Sequence, residues 1–208
     1  MSGAQGWAAL VSAAVLVSAA ELDGTCAGQF MVSRPIVLGP LLGLALGRPD
    51  LGLAIGALVE CLSLEQLPVG GNLPLNPTVA AAAGLLLAVG PRALPPELSV
   101  PAGFGAGWAH RRLELSLRSG RRDASRMAEE TLARGETPAL GRLAARSLAV
   151  QAAATLTVIL AFVLLLGPLL NRALPHAPQA VRSGLRFGFA LSPWLGAATL
   201  LKALEPRR

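Results

Sequence analysis

Glu60 is the side chain with the most conspicuous chemistry in this sequence, a carboxylate in the middle of an apolar run, residues 51–64. An ionised carboxylate among hydrocarbon is costly, and such groups usually face a cavity or a partner. One carboxylate can accept two neighbouring O–H bonds, so a polyol such as a sugar suits it and its stereochemistry can be read. The plainer alternative is an ion pair with Arg34. Gln29, Ser33, Asn72 and Asn76 supply further hydrogen-bonding groups, and Gly70-Gly71 would let backbone approach a ligand. A turn or cap role is the simple alternative for either asparagine. Arg34-Pro35 reads as a helix start with a snorkelling arginine. His110 and His176 fall at helix edges or turns and receive no role.

Catalytic chemistry is poorly represented. There is no Ser/His/Asp constellation, no usefully spaced carboxylate pair, no phosphate-cradling glycine loop and no zinc signature. The two cysteines, Cys26 and Cys61, have no CxxC or Cys/His spacing, so they read as reduced buried thiols without a metal. The expectation is a non-enzymatic chain with no cofactor.

The elements that would position these groups are short apolar helices. Runs 36–46 and 51–64 are separated only by Gly47-Arg48-Pro49-Asp50. Each falls below the roughly 20 residues a helix needs to cross a bilayer. Gly39, Gly43 and Gly47 recur every fourth residue, as do Gly52 and Gly56, which makes flat faces for close helix packing. The spacing predicts a broken-helix hairpin, either tilted or re-entrant and buried against protein. Short, Gly/Pro-interrupted apolar segments with an ionisable group are what a transporter's substrate region looks like in sequence.

Composition agrees. The 208 residues are 53% hydrophobic and only 14% charged, against about 25% charged in soluble domains, and the mean hydropathy is +0.56. The prediction is an all-α, polytopic integral membrane protein forming a single membrane domain over 1–208. The net charge of +6 does not point to nucleic acid, because no Tyr and only three Trp are present for stacking.

Along the chain, run 7–20 lacks a preceding Lys or Arg, so it reads as a retained first membrane helix that ends at Glu21. Residues 28–82 form the hairpin and its loop, with a helix from Pro77 to Val89. Run 98–108 continues into an amphipathic segment. Residues 111–146 carry nine of the 18 basic residues. The positive-inside rule places them in the cytoplasm, as a solvated topology signal or a docking surface for a partner or anionic lipid. Runs 148–170 and 187–201 read as membrane helices, the second interrupted by Pro193, which gives about five to seven spans. Arg172, Arg182 and Arg186 then fall outside, against the rule.

The chain resembles the membrane C subunit of the mannose/fructose/sorbose family of the bacterial sugar phosphotransferase system. The resemblance rests on Gly28-Gln29-Phe30-Met31-Val32-Ser33-Arg34-Pro35, Gly39-Pro40-Leu41-Leu42-Gly43, the stretch Gly52 through Glu60, and Leu67-Pro68-Val69-Gly70. It covers most of the chain and is diffuse after Gly70. It implies a permease subunit in the bacterial inner membrane. Such a subunit pairs with a membrane D subunit in a trimer of C–D pairs and moves a hexose-type sugar by an elevator-like motion. Cytosolic A and B proteins would relay phosphate to the sugar. Glu60 and the Gln29 region inherit the sugar site by position, and Glu60, Gln29, Ser33, Asn72 and Asn76 are the candidate substrate-binding residues. Asn76 stands where the family often has an aspartate, and the chain stops soon after the Pro193 helix where family members commonly continue. The rival readings are a membrane scaffold or regulator that keeps the fold without transport, and an unrelated small carrier.

Overall fold

A computed structural model describes residues 3–25, 28–64, 66 and 73–205. These are helical throughout, with no strand among the described residues. The helices are α1 (Gly3–Thr25), α2 (Pro35–Ala45), α3 (Pro49–Ser63), α4 (Pro77–Val89), α5 (Pro96–Ala133), α6 (Leu140–Ala161), α7 (Gly167–Ala173) and α8 (Gln179–Leu204). Three stretches are long and apolar enough to cross a membrane: Gly6–Gly24, Leu140–His176 and Gln179–Leu204. The chain is a multi-pass membrane protein.

The centre is α4. Every residue from Thr78 to Ala88 is buried, and its run of alanines keeps the helix thin. α5 therefore lies against it almost backbone to backbone. A Cβ on Gly103 would overlap the Ala80 carbonyl and lie 2.8 Å from the Gly84 nitrogen.

The hairpin α2–α3 forms around the glycine ladders. A Cβ on Gly39 would strike the Gly52 carbonyl and come within 2.8 Å of the Gly56 Cα. Gly47 turns the corner with φ +73°, and the Arg48 N–H donates to the Gly43 carbonyl at 2.7 Å. This is a helix end sealed by a left-handed residue, which glycine adopts without a Cβ penalty. Pro49 occupies the first turn of α3, and Asp50 in that turn pairs with Arg48 at 2.9 Å. At 1.5 Å per residue, α2 and α3 are about 17 and 23 Å long, short of a bilayer core of about 30 Å.

Three boundaries differ from the sequence reading. α1 continues through Glu21 to Thr25, because Glu21 and Asp23 are buried and partnered within the protein, so their charge does not end the helix. Run 148–170 is part of a longer helical stretch, Leu140–His176. Its five-residue π turn, Phe162–Leu166, precedes Pro168, which lacks the N–H for an ordinary helical bond. The last helix begins at Gln179, and Pro193 does not interrupt it. The Phe189 carbonyl, four residues back, is met instead by the Ser192 hydroxyl at 2.6 Å.

α5 spans 38 residues without a break, about 57 Å at the helical rise. Its first half is packed in the core and its basic half projects beyond it. Gly135, at φ +77°, closes this helix.

Candidate functional site

The C-terminal end of α1 organises the approach to the hairpin. The Asp23 carboxylate accepts from the Phe30 N–H at 2.7 Å and the Val32 N–H at 2.8 Å. Around those bonds the backbone is unusual: Gly28, Gln29 and Met31 all have positive φ, at 98°, 58° and 64°. Non-glycine residues in that region cost of order 1–3 kcal/mol each and persist only where surroundings hold them. Two charge-assisted bonds from one buried carboxylate do the holding. Asp23→Ala is expected to lower the thermal midpoint in detergent by about 5 °C or more. It should also open residues 28–34 to limited proteolysis.

Ser33 follows this loop and is buried. Its carbonyl accepts from the Thr78 hydroxyl at 2.8 Å, which ties the hairpin entrance to the first turn of α4. Asn76 is the N-cap of α4, its Oδ1 accepting from the Val79 N–H at 3.1 Å. Ser33, Arg34 and Asn76 border a cavity of about 350 Å³, with Glu21, His110 and Glu114 also in its wall.

Glu60 is not in that wall. It ion-pairs with Arg34, whose guanidinium is half-exposed while the Glu60 side chain is 12% exposed. The other Glu60 oxygen accepts from the Ile36 N–H at 3.4 Å, in the first turn of α2. A carboxylate suits a helix N-terminus. Among the described residues, Glu60 thus meets the cavity through Arg34. Gln29 is exposed in the loop held by Asp23, and its N–H donates to the Asp23 carbonyl at 3.2 Å. Asn72, with Gly70-Gly71, lies outside the described residues.

A second set of polar groups, which sequence reasoning passed over, is buried behind the cavity. Glu21 is 2% exposed and accepts from the Asn76 Nδ2 at 3.0 Å, the Gln151 Nε2 at 3.3 Å and the Thr155 hydroxyl at 3.3 Å. His110 is 1% exposed. Its Nδ1 lies 3.2 Å from the Asn76 Nδ2, and its Nε2 lies 3.0 Å from the Thr155 Oγ1. The amide can only donate, so Nδ1 accepts and the proton sits on Nε2, directed at Thr155. Asn76 therefore spends both amide protons inside this network and its oxygen on the α4 cap.

Glu114, one helical turn beyond His110, receives Arg118 at 3.1 Å and Arg121 at 2.8 Å on its Oε1. Arg121 also donates to Gln151 Oε1 at 3.0 Å, which braces α5 against α6. Glu114 Oε2 is buried and has no partner among the described residues. A buried carboxylate oxygen left without a donor is costly, so any donor that reached it would be favoured. The sequence did carry a signal for this set. His110 and Glu114, and likewise Gln151 and Thr155, are spaced i, i+4, which places each pair on one helix face.

A model of the family described as the sorbose-specific IIC component of the phosphotransferase system matches residues 7–208. No curated protein matches the chain. A solved structure described only as a membrane protein aligns with a TM-score of 0.76 at 18% identity, covering 95% of this chain and 80% of that one. The mannose transporter ManYZ, solved by cryo-electron microscopy with microcin E492, aligns with a TM-score of 0.65 at 17% identity, over 98% of this chain and 80% of that one. At these identities the two structures show a shared fold. The match along 7–208 shows more: this membrane chain belongs to the sorbose-specific IIC family of the phosphotransferase system.

Proposed function

We propose that the chain is the sugar-permease subunit of a phosphoenolpyruvate-dependent phosphotransferase system in the bacterial inner membrane. In this reading it forms the translocation path with a membrane D subunit, as a trimer of C–D pairs. Phosphoryl transfer is left to cytosolic A and B proteins, and the chain itself is not an enzyme. The observation that carries the reading is the cavity of about 350 Å³ beside the hairpin. That volume is at the low end of the roughly 300–1,000 Å³ typical of small-molecule sites and suits one hexose-type sugar. Its wall offers carboxylate, hydroxyl, amide and guanidinium groups of the kind sugar hydroxyls need.

Ser33, the remaining lone pair of Asn76 Oδ1 and, once a ligand opens the wall over its Oε2, Glu114 are the proposed direct contacts. Arg34 is held at the rim by Glu60, so Glu60 sets where that cation stands. Gln29 and, from outside the described residues, Asn72 complete the proposed set.

The test is reconstitution with D, A and B proteins and measurement of phosphoenolpyruvate-dependent sugar uptake. Glu60→Gln keeps the shape but loses the charge that fixes Arg34, and uptake is expected to fall about tenfold or more. Unchanged uptake on that substitution would remove Glu60 from the site. Absence of phosphoenolpyruvate-dependent uptake with every cognate partner would overturn the permease reading itself.

A further inference from the structure

Two cavities lie end to end along one side of α8, and their chemistry changes abruptly from one to the other. The larger, about 600 Å³, lies between α3 and α8, with Leu51, Ile55 and Leu58 on one wall and Phe189, Ala197 and Leu200 on the other. Its lining is almost wholly apolar. The smaller, about 300 Å³, is lined by Pro95, Glu97, Leu174, Leu185, Arg182 and Arg186. The two adjoin at the start of α5, where Pro95, Pro96 and Glu97 are consecutive, and along α8, where Arg186 and Phe189 are three residues apart. Arg186 reaches Glu97 at 3.3 Å, while the Arg182 side chain has no partner among the described residues. These are two of the three arginines whose position opposite the basic segment the positive-inside rule does not account for.

We propose that these adjoining cavities together form a binding site for one anionic phospholipid, its phosphate at Arg182 and Arg186 and an acyl chain along α3 and α8. From Arg186 to Leu200 the helix rises about 21 Å, enough to follow a chain through a leaflet whose hydrocarbon is roughly 15 Å deep. Arginine is the residue whose planar fork matches phosphate oxygens. Glu97 offsets only one of the two guanidinium charges, so the pocket carries a net positive charge that a zwitterionic headgroup matches less well than an anionic one. A transmembrane helix of a partner is the competing occupant.

The purified full chain, equilibrated in nanodiscs of equal phosphatidylglycerol and phosphatidylcholine and released into mild detergent, would be analysed by native mass spectrometry. One phospholipid per chain is expected to persist, with phosphatidylglycerol favoured at least fivefold. Arg182→Ala with Arg186→Ala should abolish the preference, and the paired lysine variant should keep most of it. Ala197→Trp, which fills the apolar groove, should remove the retained lipid and leave the arginines in place. Equal retention of both lipids by the unaltered chain, or a preference unmoved by the double alanine variant, overturns the proposal. So does displacement of the lipid by a co-purified D subunit whose binding Ala197→Trp then breaks.

Discussion

Asn76→Ala is expected to lower phosphoenolpyruvate-dependent sugar uptake at least thirtyfold, a larger loss than any other single change at the cavity. Three bonds disappear together: the α4 cap to Val79 and the two amide donations to Glu21 and His110. The cap alone is worth about 1 kcal/mol. Removing a donor from a buried acceptor costs about 1–3 kcal/mol, more when the acceptor is charged, and Glu21 has only neutral donors among the described residues. Even the lower figures sum to more than 2 kcal/mol of local stability, and because the lost bonds hold the cavity wall itself, a cost of about 2 kcal/mol on the competent arrangement lowers uptake about thirtyfold. Asn76→Asp separates the contributions. It keeps the acceptor that caps α4 but supplies no N–H to Glu21 or His110. Thermal stability in detergent should therefore recover only in part, and uptake should stay low. Recovery of uptake in the aspartate variant would show that the cap alone matters and that the buried network does not.

Gly39→Leu is expected to prevent the hairpin from forming, with loss of the folded protein from detergent extracts. The reason is the facing backbone. A side chain at Gly39 meets the Gly52 carbonyl and the Gly56 Cα, neither of which is the movable tip of a side chain. Overpacking a tight interior costs about 1–3 kcal/mol when neighbours can shift, and here they are the main chain of α3. Gly120→Ala provides the contrast. It lies within α5 and has nothing within 4 Å of an added Cβ, so alanine should leave stability unchanged or raise it by up to about 1 kcal/mol. Gly47→Ala should fall between them. There is space around it, but its φ of +73° disfavours a Cβ. A shared thermal-unfolding series of the three would show whether contact, conformation or neither governs each glycine.

Much of this architecture is written locally. The hairpin follows from glycines four apart, a proline in the first turn of α3 and one glycine at the corner, all of which act over a few residues. Apolar runs of the observed lengths specify helices and a membrane class, and the match along 7–208 agrees with the resemblance read from Gly28 to Gly70. The polar network was hidden for a different reason. Glu21, Asn76, His110 and Gln151 come from four separate parts of the chain, and the Gln151 to Glu21 bond joins residues 130 positions apart. Singly, His110 looks like an edge residue and Glu21 like the end of a helix. Their meaning arises only when α1, α4, α5 and α6 are packed together. Glu60 shows the converse. Its cost in an apolar run is plain from sequence, but whether Arg34 or open space lies opposite depends on how the loop before α2 is bent, and Asp23 sets that bend.

The unbroken length of α5 has a mechanical consequence. Arg121 clamps this helix to Gln151 on α6 close to Glu114, so the clamp acts as a fulcrum. From Arg121 to the exposed end at Ala133 is about 18 Å, and from Arg121 back to His110 about 17 Å. A sideways push of about 1 Å on the outer end would therefore arrive at His110 as roughly 1 Å. That is the scale on which a hydrogen bond of 3.0 Å, such as the one from His110 to Thr155, is made or lost. A load on the basic end of α5 is thereby felt at the histidine's contacts without anything touching the cavity.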